Sequence, residues 1–206
     1  MRPSSFCILF IFTCLSLFSA PAKETMPNDE QNMTKSTIPD FALIGGGCFW
    51  CTEAVFEKID GVMEVISGYA GGALPNPTYK DICTGRTGHA EVIKIKFLPH
   101  ILSYAEILEI FGKAHDPTTL NRQGADVGTQ YRSTIMYYNK EQEKVAREWK
   151  DKLSSTFVDP VVTEIVPAPH FYPAEEYHQD YYAKNPNQGY CSFVIRPKLK
   201  KLGLED

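Results

Sequence analysis

The amino-acid sequence predicts a two-layer α+β sandwich, a mixed β-sheet with flanking helices, followed by an irregular C-terminal tail. Three observations predict it. Short segments alternate apolar and polar residues or run apolar between turn residues, as strands do. Two later segments open on strong helix-start signals. Strands and helices intermix without a strict βαβα succession, which argues against a purely parallel sheet.

The elements follow in order along the chain. Residues 41–44 form a short apolar strand running into Gly45-Gly46-Gly47. From Cys48 the spacing of Phe49, Val55, Phe56 and Ile59 predicts a helix ending near Gly61 and puts Cys48 at its N-terminus. Residues 62–69 read as a second strand, and the Gly- and Pro-rich residues 71–88 as a long loop with room for one helical turn. Residues 89–97 alternate: Ile93, Ile95 and Phe97 share one face, Lys94 and Lys96 the other, and Glu91 falls on the apolar face. Ser103 with Glu106 forms a capping-box pattern for a helix to about Ala114. A polar loop covers 115–132, a strand 133–138, and Asn139 caps a helix over 140–154. A strand at 161–166, a short helix over 173–183 and the irregular tail with Cys191 complete the chain.

The N-terminus differs from the rest. Arg2 precedes an apolar run over 6–18, and Ala20-Pro21-Ala22 has the small residues of a cleavage site, so residues 1–22 read as an export signal. The run is short for a bilayer span, which makes a membrane anchor at 6–18 the alternative. Residues 23–40 are polar with two prolines and no apolar periodicity, a flexible linker, and residues 41–206 form one catalytic domain. Removing residues 1–22 takes the formal net charge from −4 to −5, because Arg2 is their only charged residue. That balance argues against nucleic acid or anionic lipid as the main partner. Of six cysteines, Cys7 and Cys14 leave with the signal; Cys48, Cys51, Cys83 and Cys191 remain. A domain of this size needs no disulfide staple, so static bridging explains them poorly.

The stretch GGGCFWCTE, residues 45–53, carries the chemistry. The thiolate is the reactive form of cysteine, and the unpaired N–H groups and dipole at a helix N-terminus favour it, so Cys48 is the expected nucleophile. Phe49 and Trp50 offer an aromatic wall for a small apolar substrate group. Glu91, on an apolar strand face, is expected to be desolvated and so protonated near neutral pH, an acid rather than a fixed charge. Glu53 reads as a first-turn carboxylate complementing the helix dipole, and His89 as a satisfied structural histidine.

GCFWCTE (47–53) resembles the active-site signature of the A-type peptide methionine sulfoxide reductases. SGYAGG (67–72), NPTY (76–79), TGHAE (87–91), HDPTTLNRQGADVGTQYRS (115–133), FYPAEEYHQDYY (171–182) and GYC (189–191) follow in that family's order, so the resemblance spans about residues 41–197. It implies a ferredoxin-like core and the reduction of the S epimer of methionine sulfoxide, free or in oxidised proteins, to methionine. In it Cys48 attacks sulfur, Glu91 protonates the sulfoxide oxygen, Tyr79 and Tyr131 hydrogen-bond that oxygen, Phe49 and Trp50 receive the methyl group, and Asp126 lines the pocket. Glu175 and His178 pack around the site.

The cycle would leave a sulfenic acid on Cys48, resolved as a disulfide that thioredoxin or another dithiol reduces. No bound cofactor or metal is required, and a monomer is expected. The resemblance makes Cys191 the resolving cysteine. Cys51 departs from the family, which commonly has Gly there; it creates a C-x-x-C in which a Cys48–Cys51 disulfide is geometrically possible. Cys51 as resolver, or a relay through both, therefore stays open, and Cys83 reads as structural. Two other classes compete: a thioredoxin-like disulfide oxidoreductase using Cys48 and Cys51, which has no need of Glu91, Tyr79 and Tyr131, and a zinc module, for which the ligand spacing is poor.

Overall fold

The computed structural model describes residues 38–206. The expected export segment and nearly all of the expected linker lie outside the described residues. No described helix is long and apolar enough to cross a membrane.

The first half of the domain is β1 (Asp40–Gly45), α1 (Phe49–Phe56), β2 (Val62–Ala70), α2 (Tyr79–Ile82), β3 (Ala90–Phe97) and α3 (Tyr104–Ala114). A two-residue hairpin, β4 (Arg122–Gln123) and β5 (Asp126–Val127), and a 3₁₀ turn at Thr129–Tyr131 lead to β6 (Thr134–Tyr137), α4 (Lys140–Ser154) and β7 (Glu164–Pro167). Then come β8 (Phe171–Pro173), a 3₁₀ turn at Glu176–His178, α5 (Tyr181–Lys184), a π turn at Cys191–Ile195 and α6 (Arg196–Lys201).

The main sheet has the order β7-β6-β1-β3-β2-β8. Its centre, β6-β1-β3-β2, is antiparallel throughout, the arrangement of a ferredoxin-like core, and β7 joins β6 in parallel. One face of the sheet buries Ala42, Ile44, Ile93, Ile95, Phe97 and Ile135 against Phe56 and Val55 of α1, Ile107, Leu108 and Phe111 of α3, and Trp149 of α4. Alternation along β3 therefore holds as the sequence predicts, with Glu91 at the end of this apolar row. The opposite face has a smaller cluster of Leu43, Ala70, Ala90, Val92 and Met136, covered by Ala168 and Phe171.

Local chemistry explains the helix starts. Ser103 Oγ and the Glu106 backbone N–H, and Glu106 with the Ser103 N–H, form the reciprocal capping box, and Asn139 accepts from the Gln142 N–H. A second capping box, Thr78 with Asp81, starts α2.

Several expectations are corrected. Helix α1 stops at Phe56 rather than near Gly61, passing through a turn before β2. The strand expected from 161 begins at Glu164. No single helix spans 173–183: Pro173 ends β8, which pairs with β2, and the chain then makes a 3₁₀ turn and the short α5, with Asp180 between them in a left-handed conformation (φ 53°). The tail containing Cys191 is helical, because Cys191, Ile195 and Leu199 recur on one side and sink into the main core.

Pairing of β8 with β2 delivers residues 174–182 to the site, and it depends on Gly68. A Cβ there would lie 2.4 Å from the Tyr172 carbonyl oxygen and 2.5 Å from the Phe171 ring. Gly68→Ala is therefore expected to destabilise the domain by about 1–3 kcal/mol, a Tm loss of several degrees, with activity falling alongside. Unchanged thermal unfolding would contradict this role for the β2–β8 contact.

Candidate active site

Strand β1 ends in a sharp turn that only glycine accommodates well. Gly47 has φ 92°, and a Cβ on it would meet Gln123 at 2.7 Å. The turn sets Cys48 as the N-cap of α1, at the floor of a cavity of about 200 Å³ lined by Cys48, Phe49, Trp50, Tyr79, Glu91, Asp126, Tyr131 and Tyr190. Seven of these eight are residues singled out from the sequence, drawn from α1, α2, β3, β5 and the 3₁₀ turn after it. Cys48 is 9 % exposed, so it faces this recess and not open solvent.

Glu91 is 2 % exposed, and its Oε2 accepts the Phe49 backbone N–H at 3.1 Å. Desolvation dominates over that hydrogen bond and, helped by the charges of Asp126 and Cys51, raises its pKa to about 8. Glu91 is thus a neutral acid at pH 7. Burial likewise raises the pKa of Tyr79 and of Tyr131, which remain O–H donors. Tyr79 is anchored through its backbone N–H, which donates to Glu175 Oε1 at 2.8 Å, while Glu175 Oε2 accepts the Tyr69 hydroxyl at 2.8 Å.

Trp50 is held on several sides. Its Nε1–H donates to His178 Nδ1 at 3.1 Å, and its ring stacks on Tyr181 at a centroid distance of 3.6 Å, with planes 5° apart. His178 also packs against Phe49 and Tyr79, with ring centroids 5.1 and 4.4 Å away. Accepting at Nδ1 fixes its neutral tautomer, and burial lowers its pKa. The packing role expected of Glu175 and His178 corresponds to these contacts.

The thiols differ from expectation. Burial, then the hydrogen bond with Cys51, pushes the Cys48 thiol well up, while the hydrogen bond from Cys48 lowers Cys51 to about 7. The helix-end donor that would have stabilised a Cys48 thiolate is taken by Glu91. At rest Cys48 therefore holds its proton more tightly than Cys51, the reverse of what position at a helix N-terminus implies. Cys51 is buried and its Sγ lies 3.6 Å from the Tyr190 hydroxyl. Cys191 is fully buried, and burial, then the charge of Cys51, raises its pKa. Cys83 is exposed at the end of α2.

Sequence reasoning missed Tyr190 as part of the cavity. Its hydroxyl donates to Asp126 Oδ2 at 2.8 Å, and its ring meets Trp50 edge-on at 5.9 Å. Its place beside Cys191 in GYC was the available signal. Glu53 is not in the first turn of α1; it is buried and bonded to Ser67 and Tyr181. His89 is structural, accepting the Gly72 N–H at Nδ1 and pairing Nε2 with the Leu74 carbonyl. Among the described residues no group of three or more His, Cys, Asp or Glu is arranged to hold a metal ion.

The family model for peptide methionine sulfoxide reductase matches residues 40–205. The chain belongs to that family. It is 52 % identical over 178 residues to peptide methionine sulfoxide reductase MsrA 1 of Rhodopirellula baltica, covering 85 % of this chain and 93 % of that protein. Among solved structures it resembles Mxr1 from Saccharomyces cerevisiae in reduced form, with TM-score 0.71, 35 % identity and coverage of 74 % of this chain and 89 % of that one. Mxr1 in complex with Trx2 matches with TM-score 0.51 and 26 % identity over 69 % of this chain and 84 % of that one. The protein is thus a methionine sulfoxide reductase of the A type, an oxidoreductase, and the disulfide-oxidoreductase and zinc readings fall away.

The Glu91 ionisation has a measurable cost. Its folded pKa is raised from 4.5 to about 8, so the native reductase keeps a proton that the unfolded chain gives up. Stability due to this group is retained below about pH 4.5 and lost as pH rises to about 8. In Glu91→Gln that loss is absent, so thermal unfolding should show the variant gaining on wild type between pH 5 and 8.5, by about 1–3 kcal/mol. A stability difference independent of pH would contradict a protonated Glu91.

Proposed function

We propose that this reductase acts on the S epimer of methionine sulfoxide, free and in oxidised proteins, through a Cys48 sulfenic acid, and that thioredoxin or an equivalent dithiol regenerates it. The observation that carries this reading is the convergence of a thiol, a neutral carboxylic acid, two tyrosine O–H donors and an aromatic wall on one small cavity.

The sulfoxide oxygen is received by Glu91, Tyr79 and Tyr131, and the methyl group by Phe49 and Trp50. Cys48 passes its proton to the Cys51 thiolate, with which it already shares it. The resulting Cys48 thiolate attacks sulfur while Glu91 gives its proton to oxygen, placing donors where negative charge develops. The S–OH bond on the methionine sulfur then breaks, the departing hydroxide adds to Cys48 Sγ, and cleavage of the bond between the two sulfurs releases methionine, leaving Cys48 as S–OH and Glu91 as carboxylate. Asp126 holds Tyr190 beside Cys51.

Resolution starts at Cys51, the thiol adjacent to Cys48 and the more acidic of the pair. It attacks the Cys48 sulfenic sulfur, and hydroxide leaves as water with the proton Cys51 had taken. Cys191, which shares the buried core cluster with Cys51, then attacks Cys51 and releases Cys48, so that the disulfide presented to the reductant is Cys51–Cys191. This gives Cys51 the first step that family resemblance alone would give Cys191. The Mxr1–Trx2 complex supports a thioredoxin-type partner. Export is proposed on the Arg2, apolar run and Ala20-Pro21-Ala22 pattern, which calls for a dithiol donor outside the cytoplasm.

Single-turnover reduction of each epimer, quenched and mapped by peptide mass spectrometry, tests the scheme. Cys48→Ser should form no methionine, Glu91→Gln should be slower by about 10²–10⁴-fold, and Cys191→Ser should stop at a Cys48–Cys51 disulfide. Turnover by Cys48→Ser, or a Cys48–Cys191 disulfide as the first product in wild type, would contradict it.

A further inference from the structure

Glu53 is a buried carboxyl that the proposed steps leave unused. It is 1 % exposed and sits on α1 one turn beyond Trp50. A carboxyl so placed is costly unless its lone pairs are satisfied, and its partners come from two other elements. Oε1 accepts the Ser67 hydroxyl of β2 at 2.9 Å, and Oε2 accepts the Tyr181 backbone N–H at 3.1 Å, with the Asp180 backbone also donating toward it.

These bonds fall where the chain needs them. Asp180, at φ 53°, turns the backbone sharply from the Glu176–His178 turn into α5, and its own side chain does not cap that helix. Glu53 therefore supplies the acceptor for the first N–H of α5 and fixes where Tyr181 begins. The Tyr181 ring, in turn, lies flat on Trp50 at 3.6 Å. Trp50 is a wall of the cavity. A carboxylate outside the cavity thus sets, through one backbone bond and one aromatic stack, how far the Trp50 ring can yield.

We infer that Glu53 is a positioning residue for substrate specificity: by locking Tyr181 against Trp50 it limits the recess to a methyl group on sulfur. This rests on the reading of Phe49 and Trp50 as the methyl recess. Without the lock, Trp50 keeps its bond to His178 but loses its rigid backing, and the recess accepts a larger alkyl group. Discrimination of one methylene in an apolar pocket is about 10-fold or more.

The test compares kcat/KM for methionine sulfoxide with that for its S-ethyl homologue, ethionine sulfoxide. In Glu53→Leu and Tyr181→Leu the methyl-to-ethyl preference should fall by about 10-fold. In Glu53→Gln, whose amide oxygen still accepts the Tyr181 N–H while its NH₂ can donate to the Ser67 hydroxyl, the wild-type preference should persist. Should Glu53→Leu fail to fold, Tyr181→Leu carries the test, since it leaves Glu53 fully bonded. Trp50→Ala separates the two layers of the argument. If Trp50→Ala lowers the preference but folded Glu53→Leu and Tyr181→Leu keep it, the role of Glu53 is overturned and the recess stands. If wild type shows no preference, or Trp50→Ala retains it, the recess reading falls and this inference falls with it.

Discussion

The hydrogen bond from the Phe49 backbone N–H to the Glu91 carboxyl is the contact on which the site depends. It joins the start of α1 to the end of the apolar row of β3, and so sets the distance between a thiol and an acid from elements 42 residues apart in sequence. Two opposing effects meet there. A helix N-terminus favours an anion, whereas the core of Ile93, Ile95 and Phe56 beside it removes water and favours a neutral group. Desolvation wins, and Glu91 keeps its proton.

That outcome also shapes the thiols. With the helix-end donor occupied and the surroundings dry, Cys48 holds its proton more tightly than Cys51 one turn on, where Cys48, Lys198 and Tyr190 all favour the thiolate. The C-x-x-C of this chain is then a proton-sharing pair as well as a pair of redox sulfurs. Around it a second set of groups, the buried Glu53 and His178 and the half-buried Glu175 and Tyr190, ties the segment after β8 and the C-terminal turns to α1. Pairing of β8 with β2 brings that set into place.

Much of this was legible in the sequence, and for identifiable reasons. Alternation over 89–97 put Glu91 on the core face, the capping residues Ser103 and Asn139 marked two helices to within a residue, and the triple glycine before Cys48 announced the turn. Failures came where tertiary contacts override local signals. Residues 173–183 have helical composition, but Pro173 is held in β8 and Glu53 redirects the chain at Asp180. The tail looks irregular because Gly189 and Pro197 interrupt it, yet Cys191, Ile195 and Leu199 find the core. Ionisation of Cys48 was misread because a helix terminus is visible in sequence and the competing carboxyl that occupies it is not.

The central claim is that Glu91 is a carboxylic acid at neutral pH before any substrate arrives, and infrared difference spectroscopy of wild type against Glu91→Gln reads it directly. A protonated carboxyl C=O band should be present at pH 7 and disappear with a midpoint of about 8. A carboxylate signature already complete at pH 6 would contradict the account.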